Sequence, residues 1–316
     1  METVKPVIPP IPRPKLEAEL TKERFVRNTN KGQNRIYDFS FNEAPYLMLE
    51  VGRLRELTFR AAGGGTGKEI DIDEFDVSRI PYRQLIVWDP SAKEILGGYR
   101  YIMGSLLRPT DEDIALLATA ELFSFTPQFI ADYLPYTIEL GRSFVQPHYQ
   151  SSKAGAKSLF ALDNLWDGLG SLVVNHPEMQ YFFGKVTMYT DYSQQARDMI
   201  RIFMDIYFRD KQRLVYPIHP VASQTDETAV YSMFAGNNFQ DDYKILSKAV
   251  RETGENIPPL VNAYMSLSPT MKTFGTAVNT NFGGVEETGI ILTVKELYDA
   301  KVDRHVNSYN PNDPHD

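Results

Sequence analysis

The chain has no cysteine. That excludes disulfides, thiolate zinc sites and cysteine nucleophiles together, and it suits a reducing compartment. Histidine is scarce. His148, His176, His219, His305 and His315 show no ligand spacing of the H-x-x-x-H kind, so no metal site is expected. No serine stands in G-x-S-x-G, the elbow of many hydrolases. Long hydrophobic runs are missing as well, and a bilayer span needs about 18 apolar residues or more. The first 15 residues lack an apolar core and are broken by prolines, so they do not read as a signal peptide. An excess of positive charge is absent too: 33 Lys and Arg stand against 41 Asp and Glu, for a formal net charge of -8. That argues against a nucleic-acid partner. The expectation is a soluble cytoplasmic protein, able at most to touch the inner membrane peripherally.

What is present is a large hydrophobic fraction, 42% of 316 residues, enough for one large domain or two average ones. Without a repeat or a clear linker, one mixed α/β domain over 16–306 is expected. A disordered proline-rich arm (1–15) precedes it and a frayed tail (307–316) follows. Leu47, Met48, Val51, Leu54 and Leu57 recur at helical spacing, and Ser40 with Glu43 has the spacing of a capping box, which predicts a helix near 43–61. Residues 84–88 and 95–102 read as two strands joined by a turn. Strand character returns at 136–145 and 181–188, each followed by an amphipathic helix, from about 156 and over about 196–207. Helices near 240–253 and 258–267 follow, then strands near 272–279 and 288–294 and a short helix near 295–301. Residues 105–135 form an insertion, and a C-terminal extension starts at about 210.

Three segments carry chemistry. Gly63-Gly-Gly-Thr-Gly-Lys68 invites a phosphate-loop reading but fails it: Ala62 and Glu69 stand where glycine and a hydroxyl are needed, and the loop follows a helix. A helix stop is the simpler reading. Glu139 and Arg142 lie three apart on one strand. They would face opposite sides unless a bulge at Gly141 brings them together. Together they fit an oriented general base or an ordinary salt bridge. Gln150-Ser-Ser-Lys-Ala-Gly-Ala156 is a small-residue turn before a helix, where backbone N–H groups can hold an anion. It fits a phosphate grip or a plain strand-to-helix turn. From Glu139 to Arg213 there are nine Lys and Arg against eight Asp and Glu, so an anionic ligand prefers this part of an acidic chain.

Four short patterns in order resemble a known family. They are Arg55-Glu-Leu-Thr-Phe59, Asp73-Glu-Phe-Asp76, Gly97-Gly-Tyr-Arg100 and Glu139-Leu-Gly-Arg142. Over about 40–210 the chain resembles the GNAT superfamily of N-acyltransferases, and within it the acyl carrier protein-dependent branch. That branch holds the ornithine-lipid and glycine-lipid N-acyltransferases and the related acyl-homoserine lactone synthases. The stretches 264–275 and 287–292 look most like the glycine enzymes. The tryptophan that the lactone synthases carry after the first helix is replaced by Gly63–Gly67.

The resemblance implies a mixed α/β fold with a central, mostly antiparallel sheet flanked by helices. It implies transfer of a fatty or 3-hydroxy fatty acyl group to the amine of an amino acid such as glycine or ornithine, in aminolipid synthesis. The donor would be an acyl-phosphopantetheine thioester of acyl carrier protein or coenzyme A, with no tightly bound cofactor. It places Glu139 as base with Arg142; Tyr189 or Tyr192, by position at the end of the 181–188 strand, is the candidate proton donor. Phe144, Val145, Gln150, Ser151, Ser152, Lys153, Ala154, Gly155 and Ala156 would hold the carrier, Lys153 standing where the family has a glycine. Arg55, Phe59, Asp73, Asp76 and Arg100 would serve the acceptor. For Arg100 and Arg142 two uses stay open, anchoring a carboxylate or bracing Asp73 and Asp76. Phe123, Phe125, Phe129 and Tyr133 either form an acyl slot or pack the insertion. The competing readings are a non-catalytic acyl-thioester binder and a short-chain acetyl-CoA-dependent N-acetyltransferase.

Overall fold

Runs rich in β-branched and aromatic residues build one eight-stranded sheet. A computed structural model describes residues 4–150, 156–236 and 238–312, the side chains of 156–159 excepted. The sheet contains β1 (Phe25–Asn28), β2 (Arg35–Phe39), β3 (Arg83–Asp89), β4 (Glu94–Met103), β6 (Thr137–Val145), β7 (Tyr181–Met188), β9 (Lys272–Asn279) and β10 (Val285–Thr293), in the order β1-β2-β3-β4-β6-β7-β10-β9. Every pairing is antiparallel except β6 with β7. A parallel pair needs a long crossover, and α5 (Ala156–Asn175) supplies it. A second, two-stranded sheet joins β5 (Phe123–Phe125) to β8 (Val215–Pro217), so the 105–135 insertion is tied to the C-terminal third.

Helices cover both faces. On one, α5, α6 (Gln194–Phe208), α8 (Phe239–Glu252) and α9 (Pro259–Met265) bury a core that includes Leu169, Ile200, Phe203 and Leu246. On the other, α2 (Pro45–Ala61) buries Leu47, Met48, Val51 and Leu54 as its spacing requires. A third apolar cluster lies under the insertion. Ile200 is fully enclosed; Ile200→Ala is expected to cost about 2–5 kcal/mol, measured by urea unfolding. Among the described residues, no helix is long and apolar enough to cross a membrane.

Several expectations need correcting. Ser40 N–H donates to Glu43 Oε2 at 2.7 Å, but this closes a turn, and the helix begins two residues later on Pro45. Proline fits there because the first helical N–H has no partner to lose. The arm does not hang free over its described part. Three of its residues spend their N–H groups on the body: Lys5 on Gly67 O (2.9 Å), Ile8 on Glu69 O (3.0 Å) and Ile11 on Glu50 Oε2 (3.0 Å). The helix α1 (Arg13–Glu19) then follows. The hairpin β1–β2 also falls outside the predicted elements. At the other end, Arg27 donates to the carbonyls of His305 (3.2 Å) and Ser308 (3.3 Å), so the tail is tied down to at least Ser308.

Candidate active site

The central strands separate where β6 carries one residue too many. Gly98 faces Phe144 and Arg100 faces Gly141, so Arg142 and Ser143 together oppose Tyr99 alone. This is a bulge, one residue beyond the position expected from Gly141. Arg142 has φ +48°, a left-handed value that few non-glycine residues adopt. Its guanidinium is fixed by Asp71 at 3.0 Å and Asp73 at 3.3 Å and lies 4.4 Å over the Phe282 ring. The β6–β7 ladder then stops after Leu140 and Gly184. Up to that point the strands are close: a Cβ on Gly184 would sit 2.7 Å from Leu140 O. Past it they splay, and main-chain groups that would have continued the ladder face a cavity of about 490 Å³.

The cavity has two characters. Leu140, Leu162, Phe182, Leu260, Tyr264 and Leu292 make most of it apolar. Arg142, Lys185, Thr187, Tyr189 and Glu287 give it a polar end. The Glu287 carboxylate accepts from Lys185 Nζ at 2.7 Å, Asn279 Nδ2 at 2.9 Å and Thr187 Oγ1 at 3.2 Å. Burial pushes the Glu287 pKa up, but the Lys185 ammonium and the donated hydrogen bonds outweigh it, so the carboxyl is held below its ordinary value. Tyr189 is pushed up to about 12, first by burial and then by the Glu287 charge. Tyr192 also lines the cavity, and burial raises its phenol too.

The expected site residues divide. Phe59, Arg142, Phe144, Val145, Gln150, Tyr189 and Tyr192 line the cavity. Ser151, Ser152, Lys153, Ala154 and Gly155 lie outside the described residues, and Ala156 opens α5. Glu139 is not among the lining residues. It is 1% exposed, and its oxygens accept from Tyr82 OH (2.7 Å), Thr119 Oγ1 (2.8 Å) and Thr119 N (3.2 Å). Burial raises its pKa. The carboxylate expected to act as base thus fastens the insertion to β6. Its removal in Glu139→Ala would strand these buried donors, at an expected cost of about 2–4 kcal/mol in thermal or urea unfolding.

Arg55, Asp73, Asp76 and Arg100, expected at the acceptor, instead spend their charges on one another. Asp76 meets Arg55 at 3.1 Å and Arg100 at 3.4 Å; Arg100 also meets Asp73 at 2.6 Å. The bracing alternative describes these contacts. Asp73 caps the one-turn helix α3 (Glu74–Val77) and so fixes the acidic loop. Phe123, Phe125, Phe129 and Tyr133 pack the insertion. Phe129 stacks between Phe125 and Tyr133, with centroids 5.3 and 5.9 Å away. None of the four lines the cavity.

The glycine-rich loop ends α2, as the helix-stop reading expects, with Gly63 N–H donating to Arg60 O (3.0 Å) and Gly64 N–H to Phe59 O (2.8 Å). Its amides at Thr66 (3.1 Å) and Gly67 (2.8 Å) donate to the Glu56 carboxylate, so an internal anion already holds them. Its other service is to come close to the site. A Cβ on Gly64 would lie 2.9 Å from Tyr189 Cε1. Gly64→Ala is therefore expected to displace the phenol, read as a changed Tyr189 side-chain signal by NMR, with the melting temperature little changed.

The chain is similar to several known proteins. The description "Acetyltransferase (GNAT) domain" matches residues 54–159. The glycine N(alpha)-acyltransferase of Phocaeicola vulgatus is 54% identical over 303 residues, which is 96% of this chain and 93% of that protein. That of Bacteroides thetaiotaomicron is 53% identical over 308 residues, 98% and 91% of the two. Among solved structures, BjaI, a CoA-dependent acyl-homoserine lactone synthase seen with SAM and isopentyl-CoA, aligns over 85% of this chain and 88% of its own. The TM-score is 0.37 and the identity 14%.

Proposed function

The chain belongs to the family of the glycine N(alpha)-acyltransferases and is an N-acyltransferase with a GNAT domain, and from that premise we propose that it moves a fatty acyl group from a phosphopantetheine thioester to the α-amine of glycine. The observation that carries this reading is the splay between β6 and β7. It joins a mostly apolar chamber to a charged end within one cavity. An acyl chain wants the first, and a zwitterionic acceptor wants the second.

In this reading the pantetheine arm lies in the gap, where main-chain groups past Leu140 lack a ladder partner. Their N–H groups polarise the thioester carbonyl and hold the oxyanion that forms on attack. The amine attacks the carbonyl carbon, the C–N bond forms and the C–S bond breaks. Tyr189 gives its proton to the leaving sulfur. The donor is acyl carrier protein or coenzyme A loaded with a long chain, and an N-acylated amino acid is a product suited to aminolipid synthesis. Residues 151–156 are the proposed phosphate grip. Lys153→Glu is expected to raise the KM for the acyl carrier about tenfold, the loss of one charge-assisted contact.

The test is product analysis by mass spectrometry. Purified protein is given acyl-carrier and coenzyme A thioesters of different chain lengths with a panel of amino acids. The expected product is long-chain N-acylglycine. Preference for acetyl-coenzyme A, or thioester hydrolysis without amide, would overturn the reading.

A further inference from the structure

We propose that Glu287 is the group that receives the acceptor's ammonium and takes its proton, with Lys185 positioning the carboxylate. This rests on the acyl-transfer reading above. With Glu139 set away from the cavity, the reaction lacks a base. Among the described residues, two carboxylates line the cavity, Glu287 and Asp191. Asp191 is exposed at the loop that follows β7, whereas Glu287 is 3% exposed, on the rigid frame of β10.

The surroundings of Glu287 suit the task. Lys185 and Thr187 from β7 and Asn279 from β9 fix its orientation, so the carboxylate is preorganised on three strands. Lys185 keeps it ionised, the form that attracts an ammonium. A buried ion pair contributes little net stability compared with apolar residues of the same size, so stability alone does not account for this one. The Glu287 charge also reaches Tyr189 and helps keep that phenol protonated.

The proton balance closes through the two groups and solvent. An acceptor ammonium brings three protons. One leaves through Glu287 to solvent and frees the nitrogen lone pair for attack. After the C–N bond forms, the positively charged adduct nitrogen releases a second to solvent while Tyr189 protonates the departing sulfur. The phenolate regains its proton from solvent, and the third stays in the amide.

The experiment compares two nucleophiles on Glu287→Gln, glycine and hydroxylamine, with the same acyl thioester. Hydroxylamine is uncharged at neutral pH and needs no base to attack. Glycine turnover is expected to fall about 10²-fold, the usual worth of a positioned base. Hydroxamate formation should stay within about threefold of the unsubstituted enzyme, because the oxyanion and leaving-group steps are intact. An equal fall with both nucleophiles, or glycine turnover within about threefold of normal, would overturn the assignment. If Glu287→Gln does not fold, Glu287→Gln with Lys185→Met removes both buried charges together and is expected to show the same split between nucleophiles. If the unsubstituted protein makes neither N-acylglycine nor hydroxamate, the acyl-transfer reading fails instead.

Discussion

Arg100→Met is expected to cost the fold about 3–5 kcal/mol, read from urea or thermal unfolding, because it breaks a buried pair and leaves charge behind. Arg100 is 2% exposed and touches both Asp73 and Asp76. Without it, Arg55 and Arg142 must serve three carboxylates, Asp71 included. Arg100→Lys keeps the charge but loses the planar fork that spans two acids, so an intermediate loss is expected. The network also sets a pH signature. Burial pushes the Asp73 pKa up, but the Arg100 and Arg142 guanidinia outweigh it and hold the carboxyl far below its ordinary value. A carboxyl whose pKa is depressed on folding gives stability above its unfolded pKa, about 3.9, and loses it as pH falls. Unfolding free energy should therefore drop on acidification below about pH 5. The Asp73 part of that drop should shrink in Arg100→Met. Asp71 opposes it, since burial raises its pKa. An unchanged acid profile in Arg100→Met would show that Asp73 does not depend on this arginine.

Tyr189→Phe is expected to reduce acyl transfer about 10²-fold with little change in KM, since only the departing sulfur needs the lost proton. A thiolate leaving into a mostly apolar cavity is poorly solvated, so a proton delivered at that moment matters more than it would in water. The phenol sits at about 12 and stays loaded throughout the working range. Its titration therefore adds no alkaline fall in rate until pH approaches that value. The check is a pH–rate profile for both proteins. Equal kcat in Tyr189→Phe would remove the phenol from the reaction.

The sequence made some of this legible and hid the rest for physical reasons. The strands at 83–89, 94–103, 137–145 and 181–188 and the helices α2, α5, α6 and α8 announce themselves by periodicity, which burial imposes directly. The family patterns pointed to the bulged strand, and position alone offered Tyr189 or Tyr192 as proton donor. They did not reveal that Arg55, Asp73, Asp76 and Arg100 pair with each other, because ion pairing depends on side-chain direction across strands and loops. Glu139 misled for the same reason. Its partners Tyr82 and Thr119 are distant in sequence. Glu287 was visible only as a carboxylate at the edge of the apolar run 288–294. A charge inside a buried strand demands a partner, and Lys185, within the other apolar strand, was the available signal. The hairpin β1–β2 buries Ile36, Tyr37 and Phe39, but its strands of four and five residues are too short to show a period, and the docked arm is bonded through its main chain.

The four residue pairs that join β6 to β7 have a consequence for synthesis on the ribosome. The antiparallel run from β1 to β6 follows sequence order, so it can assemble as the chain emerges. Glu287, Ile290 and Leu292 come from β10, whose partner β7 lies about a hundred residues upstream. A nascent chain lacking residues 285–293 therefore has no enclosed chamber and no Glu287. In the proposed reaction, acyl thioesters meet a competent catalyst only once translation has delivered β10.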